Sequence, residues 1–279
     1  MNLLYCGDSN IEKGLLLSLL SIVKQVTEPL HVYVMTLSLQ TAKRNYTPVS
    51  DECISAAEEL LRRVHPHSTV SKINASAAFC EELPSANLDT RFTPCCMLRL
   101  YADKFEEIPD KILYLDNDVL CRMNFSDFYH QNIEDCELVG VLDHYGSWFF
   151  RRNIFKRDYV NSGVLLLNMK LIRATKLFER CRRLCREKKM FMPDQSALNK
   201  LSASKRLADR RFNEQRHLQT DTVFQHFTTH FRFFPFFRTV TVKPWQFESV
   251  HEKLKLHEYD ALFKEYTALS LNDYYKRSV

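Results

Sequence analysis

The feature that most constrains this chain is a short apolar run that ends in two carboxylates. Residues 111–115 have the sequence KILYL, Asp116, Asn117 and Asp118 follow at once, and apolar residues then resume. A short apolar run bounded in this way predicts a strand that is buried on both faces, as in α/β proteins. Because open α/β sheets place their chemistry beyond the carboxyl ends of the strands, the sequence predicts a functional site at this point.

The spacing of the two carboxylates has two interpretations. In an extended backbone, side chains two residues apart point to the same side, so Asp116 and Asp118 could bind one divalent cation. The same residue types are also common in turns and at the starts of helices. These residues alone leave both interpretations open.

The order of the predicted elements indicates the fold class. Residues 3–6 predict a strand, residues 11–26 a helix and residues 31–36 a second strand, and this strand–helix–strand order predicts a parallel sheet. Further along, residues 169–189 predict one basic helix. We therefore predict an α/β fold with a mostly parallel, Rossmann-like central sheet flanked by helices. No change in composition demands a linker, so one main domain over residues 1–250 and a small helical appendage over residues 251–279 are expected.

Polar side chains near the predicted site have similar alternatives. Asp8 and Asn10 follow the first predicted strand, where they could hydrogen-bond a nucleoside or cap the next helix. Arg99 lies on a predicted helix and could neutralise Asp116 or a phosphate group. It could equally form a surface ion pair that contributes little to stability.

Composition excludes several classes of protein. No run approaches the roughly 18 apolar residues that a membrane-spanning helix needs, and the first residues do not resemble a secretory signal peptide. The chain has only five Gly and no Gly-rich phosphate-binding loop. Its nine Cys are scattered without metal-binding spacing, which indicates reduced thiols. A cytoplasmic location is expected, with the inner face of a membrane as an alternative.

Charge and aromatic residues are unevenly distributed. The formal net charge is +5, and residues 176–216 contain thirteen Lys or Arg against five Asp or Glu. This region is either a solvated helix face or a contact for an anionic partner. No recognition motif accompanies the charge, so nucleic acid is not an expected partner. Residues 148–158 predict a flexible loop over the site. The aromatic run Phe231–Phe237 predicts either packed core or contact with an amphiphilic acceptor at a membrane surface.

The ordered set of motifs resembles family 8 glycosyltransferases. These are retaining enzymes with the A-type fold, and they include bacterial lipopolysaccharide galactosyl- and glucosyltransferases and the glycogenins. The resemblance covers residues 1–247 and rests on YCGDSN at 5–10, MLRL at 97–100, LYLDNDVL at 113–120, NSGVLLLN at 161–168, PDQSALN at 193–199, a late His, and KPW at 243–245. It implies that residues 1–250 form an A-type catalytic domain.

The resemblance implies a metal site and a set of substrate contacts. Asp116, Asp118 and His226 would bind Mn²⁺ at the diphosphate of a UDP-sugar, with Mg²⁺ as an alternative; an imidazole beside two carboxylates favours Mn²⁺. Asp194 and Gln195 would act at the reacting sugar, with Gln195 against the anomeric carbon. Arg99 would contact the sugar or the metal-binding carboxylates, Asn161 and Ser162 would line the sugar pocket, and Asn117 would bind substrate. The remaining implied contacts are Asp8 and Asn10 with uridine, Lys243 with the diphosphate, and Asp143 towards the acceptor.

One part of the pattern departs from the family. Many members have a Gly between the metal-binding His and the Lys-Pro-Trp motif. Here His226 precedes Lys243 by seventeen positions without an intervening Gly, and His230 is an alternative ligand. His226 is favoured because it directly follows a predicted strand.

These inferences predict a Mn²⁺-dependent retaining hexosyltransferase that uses UDP-glucose or UDP-galactose and transfers on the front face. Its acceptor would be a glycan, a lipid-linked saccharide or a glycoprotein, with peripheral membrane association as an open question. A sugar nucleotidyltransferase is one alternative, although it would usually carry a Gly-rich loop that residues 7–14 lack. A non-catalytic basic protein that binds nucleic acid or membrane is the other. The sequence does not indicate an oligomeric state.

Overall fold

The computed structural model describes residues 1–88, 93–144, 158–232 and 238–269, without the side chains of residues 230–232 and 238. The strands are β1 (Asn2–Cys6), β2 (His31–Thr36), β3 (Leu39–Gln40), β4 (Asn45–Tyr46), β5 (Thr69–Asn74), β6 (Lys111–Leu115), β7 (Val119–Cys121), β8 (Leu138–Leu142), β9 (Val160–Asn168), β10 (Lys205–Leu207), β11 (Phe224–His226), β12 (His230–Arg232) and β13 (Arg238–Val240).

The central sheet has seven of these strands in the order β10-β8-β9-β6-β1-β2-β5. β1 runs parallel to its neighbours β2 and β6. The pairs β2–β5 and β8–β10 are also parallel. β9 lies antiparallel to both β6 and β8. The prediction of an α/β fold with a mostly parallel sheet is confirmed. The sequence did not indicate the reversed direction of β9, because a buried apolar run has the same pattern in either direction.

The described helices are α1 (Glu12–Val23), α2 (Asp51–Arg62), α3 (Ser76–Glu81), α4 (Ser126–His130), α5 (Met169–Thr175), α6 (Leu177–Glu187), α7 (Pro193–Leu201), α8 (Phe247–Leu254) and α9 (Asp260–Leu269), with 3₁₀ helices at Ser9–Ile11, Ser85–Asn87, Pro94–Lys104 and Arg210–Phe212. The single helix predicted over residues 169–189 is two helices. Lys176 between them has a φ of 55°, a left-handed conformation that ends one helix before the next begins. None of the described helices is both long and apolar enough to cross a bilayer.

Helices cover both faces of the sheet, and β6 contributes to both cores. Leu113 and Leu115 pack into the cluster that contains the α1 leucines, whereas Ile112 and Tyr114 pack with the 3₁₀ helix Pro94–Lys104 and with α6. These four side chains of β6 are each at most 1% exposed. The predicted burial of this strand on both faces is thus observed, and it fixes the point at which the two carboxylates leave the sheet.

The last two helices pack against the main core. Leu262 and Phe263 of α9 are buried in the same cluster as α1, and Tyr259 Oη donates a 2.8 Å hydrogen bond to Gln225 Oε1. The domain boundary at residue 250 stays a prediction. All nine cysteines are free thiols.

A buried carboxylate ties the start of β8 to its surroundings. Glu137 accepts hydrogen bonds of 2.7 Å from Thr175 Oγ1, Ser202 Oγ and the backbone N–H of Ala203. Burial raises the pKa of Glu137, but these donors outweigh burial and leave its pKa below the ordinary value.

We expect Glu137→Gln to lower the free energy of unfolding by about 2 kcal/mol at neutral pH, because the charged hydrogen bonds are lost. A lowered folded-state pKa means that this stabilisation is present above the ordinary Glu pKa of about 4.3 and is lost as pH falls through the folded-state value. Urea unfolding of both proteins at neutral and acidic pH measures the difference. A difference that does not narrow in acid would contradict the assignment.

Candidate active site

The two carboxylates lie on the turn between β6 and β7. The backbone N–H of Asp116 donates to Gly163 O at 2.8 Å, and that of Val119 donates to Asp116 O at 3.2 Å. The first bond holds the turn against the start of β9, and the second closes the turn itself. The carboxylates therefore stand at the carboxyl end of β6.

His226 joins them because β11 pairs with β7. The antiparallel register sets His226 opposite Val119, one residue beyond Asp118. Its Nε2 atom lies 3.2 Å from Asp118 Oδ1 and 3.6 Å from Asp116 Oδ2. One ligand atom from each of the three side chains falls within 4.8 Å of the others. The structure thus brings together the three residues predicted to bind metal.

Gly163 provides the space for this cluster. A Cβ atom at position 163 would stand 2.1 Å from His226 Cε1 and 2.9 Å from Asp116 Oδ2, closer than real Cβ atoms approach. Only glycine therefore fits beneath the His226 ring without displacing the imidazole or the Asp116 carboxylate.

Lys243 is paired with the same cluster. Its Nζ atom donates to Asp118 Oδ2 and lies 3.4 Å from Phe227 O. Burial raises the pKa of Asp118, but Lys243 and His226 outweigh burial and hold its pKa well below the ordinary range. Burial would lower the pKa of Lys243, yet Asp118 raises it. Both groups are therefore charged at neutral pH.

Arg99 is buried between two carboxylates. Its Nη2 atom donates to Asp116 Oδ1 at 2.9 Å, and its Nε atom lies 3.4 Å from Asp194 Oδ2. The guanidinium carbon stands 3.9 Å from the centre of the Tyr114 ring. Because Arg99 is only 4% exposed, these are not the surface ion pairs that the sequence left open.

Asp194 and Gln195 lie in the first turn of α7, next to the start of β9. Gln195 Oε1 accepts from the backbone N–H of Ser162 at 3.0 Å, and its Nε2 atom donates to Asp143 Oδ2 at 3.2 Å. Asp194 Oδ2 accepts from Ser162 Oγ at 3.2 Å. Burial raises the pKa of Asp194 and outweighs the opposing effect of Arg99.

A buried amide that the sequence analysis missed connects the two halves of the site. Asn213 Nδ2 donates to Asn161 Oδ1 at 3.0 Å, and Asn213 Oδ1 lies 3.2 Å from His226 Nδ1. Asn161 Oδ1 also accepts from the backbone N–H of Gly163, while its Nδ2 atom donates to Asp143 at 2.9 Å. No motif identifies Asn213, because its role depends on contacts with distant residues.

This chain of hydrogen bonds places a hydrogen on Nδ1 of His226. The backbone N–H of Gly163 can only donate, so it fixes which end of Asn161 is the acceptor. Asn213 must then turn its N–H₂ group to Asn161 and its oxygen to His226. The Nδ1 atom of His226 consequently carries hydrogen, and Nε2 is the ring nitrogen that faces the two aspartates.

The nucleoside-binding candidates lie at the carboxyl end of β1, the neighbour of β6. Asp8 is buried, accepts from Asn10 Nδ2, and has Arg44 at 4.0 Å; it makes no side-chain cap bond to the helix that follows. Asn117 lies beside Gly14 of α1, where an added Cβ atom would stand 2.4 Å from the backbone oxygen of Asn117.

Several predictions fall outside the described residues or side chains. The side chain of His230, the alternative ligand, is one of them. Residues 148–157 of the predicted loop and residues 233–237 of the aromatic run are the others.

Comparison with known proteins agrees with this geometry. The model of glycosyl transferase family 8 matches residues 2–249. A lipopolysaccharide 1,3-galactosyltransferase of Salmonella typhimurium is 26% identical over 149 residues, covering 49% of this chain and 44% of that protein. The lipopolysaccharide glucosyltransferase WaaO of Escherichia coli is 30% identical over 126 residues, covering 41% of this chain and 37% of that protein. Each match thus spans less than half of the curated relative.

Solved structures share the fold over nearly the whole chain. The galactosyltransferase LgtC, in complex with donor and acceptor sugar analogs, superposes with a TM-score of 0.62 at 19% identity, covering 97% of this chain and 95% of that one. An active-site mutant of LgtC superposes with a TM-score of 0.68, at the same identity and coverage. The A-type fold is thereby confirmed, and so is the resemblance carried by the ordered motifs. With the family model matched along nearly the whole chain, this protein belongs to glycosyl transferase family 8.

Proposed function

We propose that this protein is a retaining hexosyltransferase that moves glucose or galactose from a UDP-sugar to a hydroxyl group of a saccharide acceptor. The observation that carries the proposal is the convergence of Asp116, Asp118 and His226 at the carboxyl end of β6, in a chain of this family. The names of the curated relatives support a galactosyl or glucosyl donor.

The donor set fits the metal that the family implies. Two carboxylates and one imidazole nitrogen suit Mn²⁺ better than Mg²⁺, which prefers oxygen ligands and remains an alternative. The hydrogen bond from Nδ1 leaves Nε2 of His226 available as the third ligand atom. When bound, Mn²⁺ would act as a Lewis acid at the donor diphosphate. Lys243, held against Asp118, adds positive charge beside the same leaving group.

The other predicted residues are assigned to the two substrates. Asp8 and Asn10 are proposed to hold uridine, and Arg99 to keep Asp116 and Asp194 in place. Contacts with the donor sugar are proposed for Asn117, Asn161 and Ser162. Asp143 is proposed to face the acceptor.

We propose front-face transfer without a covalent enzyme intermediate. The acceptor oxygen bonds to the anomeric carbon on the face from which UDP leaves. The electron pair of the broken bond stays on the UDP oxygen, which also takes the acceptor proton. Gln195 is a neutral amide engaged at both ends by Ser162 and Asp143, and such a group is a poor nucleophile. Its proposed part is to stabilise positive charge on the sugar. A glycosyl adduct trapped on Gln195 or Asp194 would contradict this.

The proposed acceptor is a glycan, a lipid-linked saccharide or a glycoprotein. The lipopolysaccharide-directed names of two relatives favour a lipid-linked saccharide. The proposed location is accordingly the cytoplasm, with peripheral association at the inner face of a membrane. Arg183 and Arg186 on the exposed side of α6 could contact anionic lipid there.

The decisive experiment is a panel of UDP-sugars with Mn²⁺, assayed for released UDP first without and then with candidate acceptors. Hydrolysis of UDP-glucose or UDP-galactose alone is expected to exceed that of other donors. Pyrophosphate release from UTP and a sugar phosphate would instead favour the nucleotidyltransferase. Salt-sensitive binding of polyanions without any turnover would favour the non-catalytic alternative.

A separate prediction concerns Asn213. Asn213→Ala is expected to weaken Mn²⁺ binding about 10- to 100-fold, because the Nδ1 atom of His226 loses the hydrogen-bond partner that orients the ring. Asn213→Asp should recover only part of the affinity, because a carboxylate still accepts from Nδ1 but sets its other oxygen against Asn161 Oδ1. The free Mn²⁺ signal in electron paramagnetic resonance gives the affinity without substrate. Asn87→Ala, an equally buried amide elsewhere, is the control and should lower only stability. Unchanged affinity in Asn213→Ala would refute the positioning role.

A further inference from the structure

A second group of metal-ligating side chains lies near the end of the described chain. His251, His257 and Asp260 each offer one ligand atom, and these atoms lie within 4.8 Å of one another. His251 is on α8, Asp260 is the first residue of α9, and His257 is on the turn between the two helices. Their sequence positions are close, but the group joins two separate helices.

The two imidazoles face opposite oxygens of one carboxylate. His251 Nε2 lies 2.6 Å from Asp260 Oδ1, and His257 Nδ1 lies 3.3 Å from Asp260 Oδ2. The two rings are stacked, with centroids 4.7 Å apart and planes inclined by 19°. Both ring nitrogens therefore point towards the same small volume.

The backbone beneath this group is firmly held. Lys255, with a φ of 56°, ends α8 and donates to His251 O at 3.1 Å. Asp260 donates through its backbone N–H to His257 O at 3.2 Å. The neighbouring acid, Glu258, is paired with Arg122 at 2.7 Å and does not compete for the imidazoles.

The donor set differs from that of the active site. Two imidazole nitrogens and one carboxylate suit Zn²⁺, which binds such ligands at about 2.0–2.2 Å. The site with two carboxylates and one imidazole favours Mn²⁺ instead. His257 and Asp260 are exposed, so solvent can occupy a fourth position.

We propose that His251, His257 and Asp260 form a second metal site, selective for Zn²⁺ or a similar borderline cation, which links α8 to α9. The aromatic residues next to it connect the site to the core: the Phe247 and Phe263 rings stack at 4.4 Å, and Phe263 is buried. A bound cation would therefore stabilise the attachment of the last described helix to the main domain. The proposal does not depend on the transferase activity.

The test is a Zn²⁺ titration of the full-length protein after removal of metals, in excess Mg²⁺. Isothermal titration of the wild type, Asp118→Asn and His257→Gln separates the two sites. Asp118→Asn should retain one Zn²⁺ equivalent, and adding His257→Gln to it should weaken the binding of that equivalent at least about tenfold. Zn²⁺ should also raise the unfolding temperature of Asp118→Asn but not that of the double variant Asp118→Asn/His257→Gln.

His67→Gln is the matched control, because His65 and His67 form another neighbouring imidazole pair, at 5.5 Å between ring centroids. It should leave the Zn²⁺ equivalent unchanged. Because His257 is exposed, its replacement leaves the core intact. A Zn²⁺ equivalent that survives in the double variant Asp118→Asn/His257→Gln, or wild-type binding that disappears entirely with Asp118→Asn, would overturn the proposal and leave a simple histidine–aspartate ion pair.

Discussion

Replacing Asp118 by Asn is expected to reduce Mn²⁺-dependent release of UDP from UDP-sugars by about 100- to 1,000-fold. The carboxylate is buried, and its pKa is held well below the ordinary range despite burial because Lys243 and His226 lie against it. An amide cannot supply the charged ligand, and it leaves Lys243 and His226 without their common partner. Metal affinity should fall together with turnover, and the free Mn²⁺ signal measures it independently.

Asp110→Asn is the matched control for this variant. Asp110 directly precedes β6, at the opposite end of the same strand from Asp118, and pairs with Arg173 at 3.1 Å while remaining exposed. Its replacement should leave metal affinity and turnover unchanged. Wild-type turnover in Asp118→Asn at saturating UDP-sugar would refute the metal-dependent transfer that we propose.

The second large effect is expected for Gly163→Ala. The added methyl group would stand 2.1 Å from His226 Cε1 and 2.9 Å from Asp116 Oδ2, so the imidazole or the carboxylate must move. The described chain has no Gly at positive φ, so the limitation at position 163 is space and not backbone conformation. We expect Mn²⁺ affinity to fall by about 100-fold, the upper end of the effect of changing a residue that positions a metal ligand.

Gly140→Ala separates this effect from a general loss of stability. Gly140 lies on β8, where a Cβ would stand 2.9 Å from Leu165 Cδ2 and 3.3 Å from Val160 Cβ, which are apolar core atoms. This variant should lower the unfolding temperature and leave Mn²⁺ affinity unchanged. If both variants lose stability equally and neither loses affinity, the contact of Gly163 with the metal ligands has no functional role.

The sequence predicted the structure best where the prediction needed only residues that are neighbours in the chain. The apolar run before Asp116 predicted a doubly buried strand and a site at its end, and both follow from side chains that adjoin in sequence. The break at Lys176 was not predictable, since Lys has no special preference for a positive φ. The role of Asn213 was not predictable either, because it rests on hydrogen bonds with Asn161 and His226, which only the folded chain brings beside it.

The reversed strand β9 has a consequence for how such a site can change. β6 and β8 end at the site, but β9 begins there, so its first residues lie between both neighbours. Gly163 lies against His226 and Asp116 on one side, while the Asn161 side chain donates to Asp143 on the other. A shift of β9 by a single residue would turn these side chains to the opposite face. A change of register in β9 would therefore alter the proposed donor side and the proposed acceptor side together, and new acceptor specificities should arise in the loops instead.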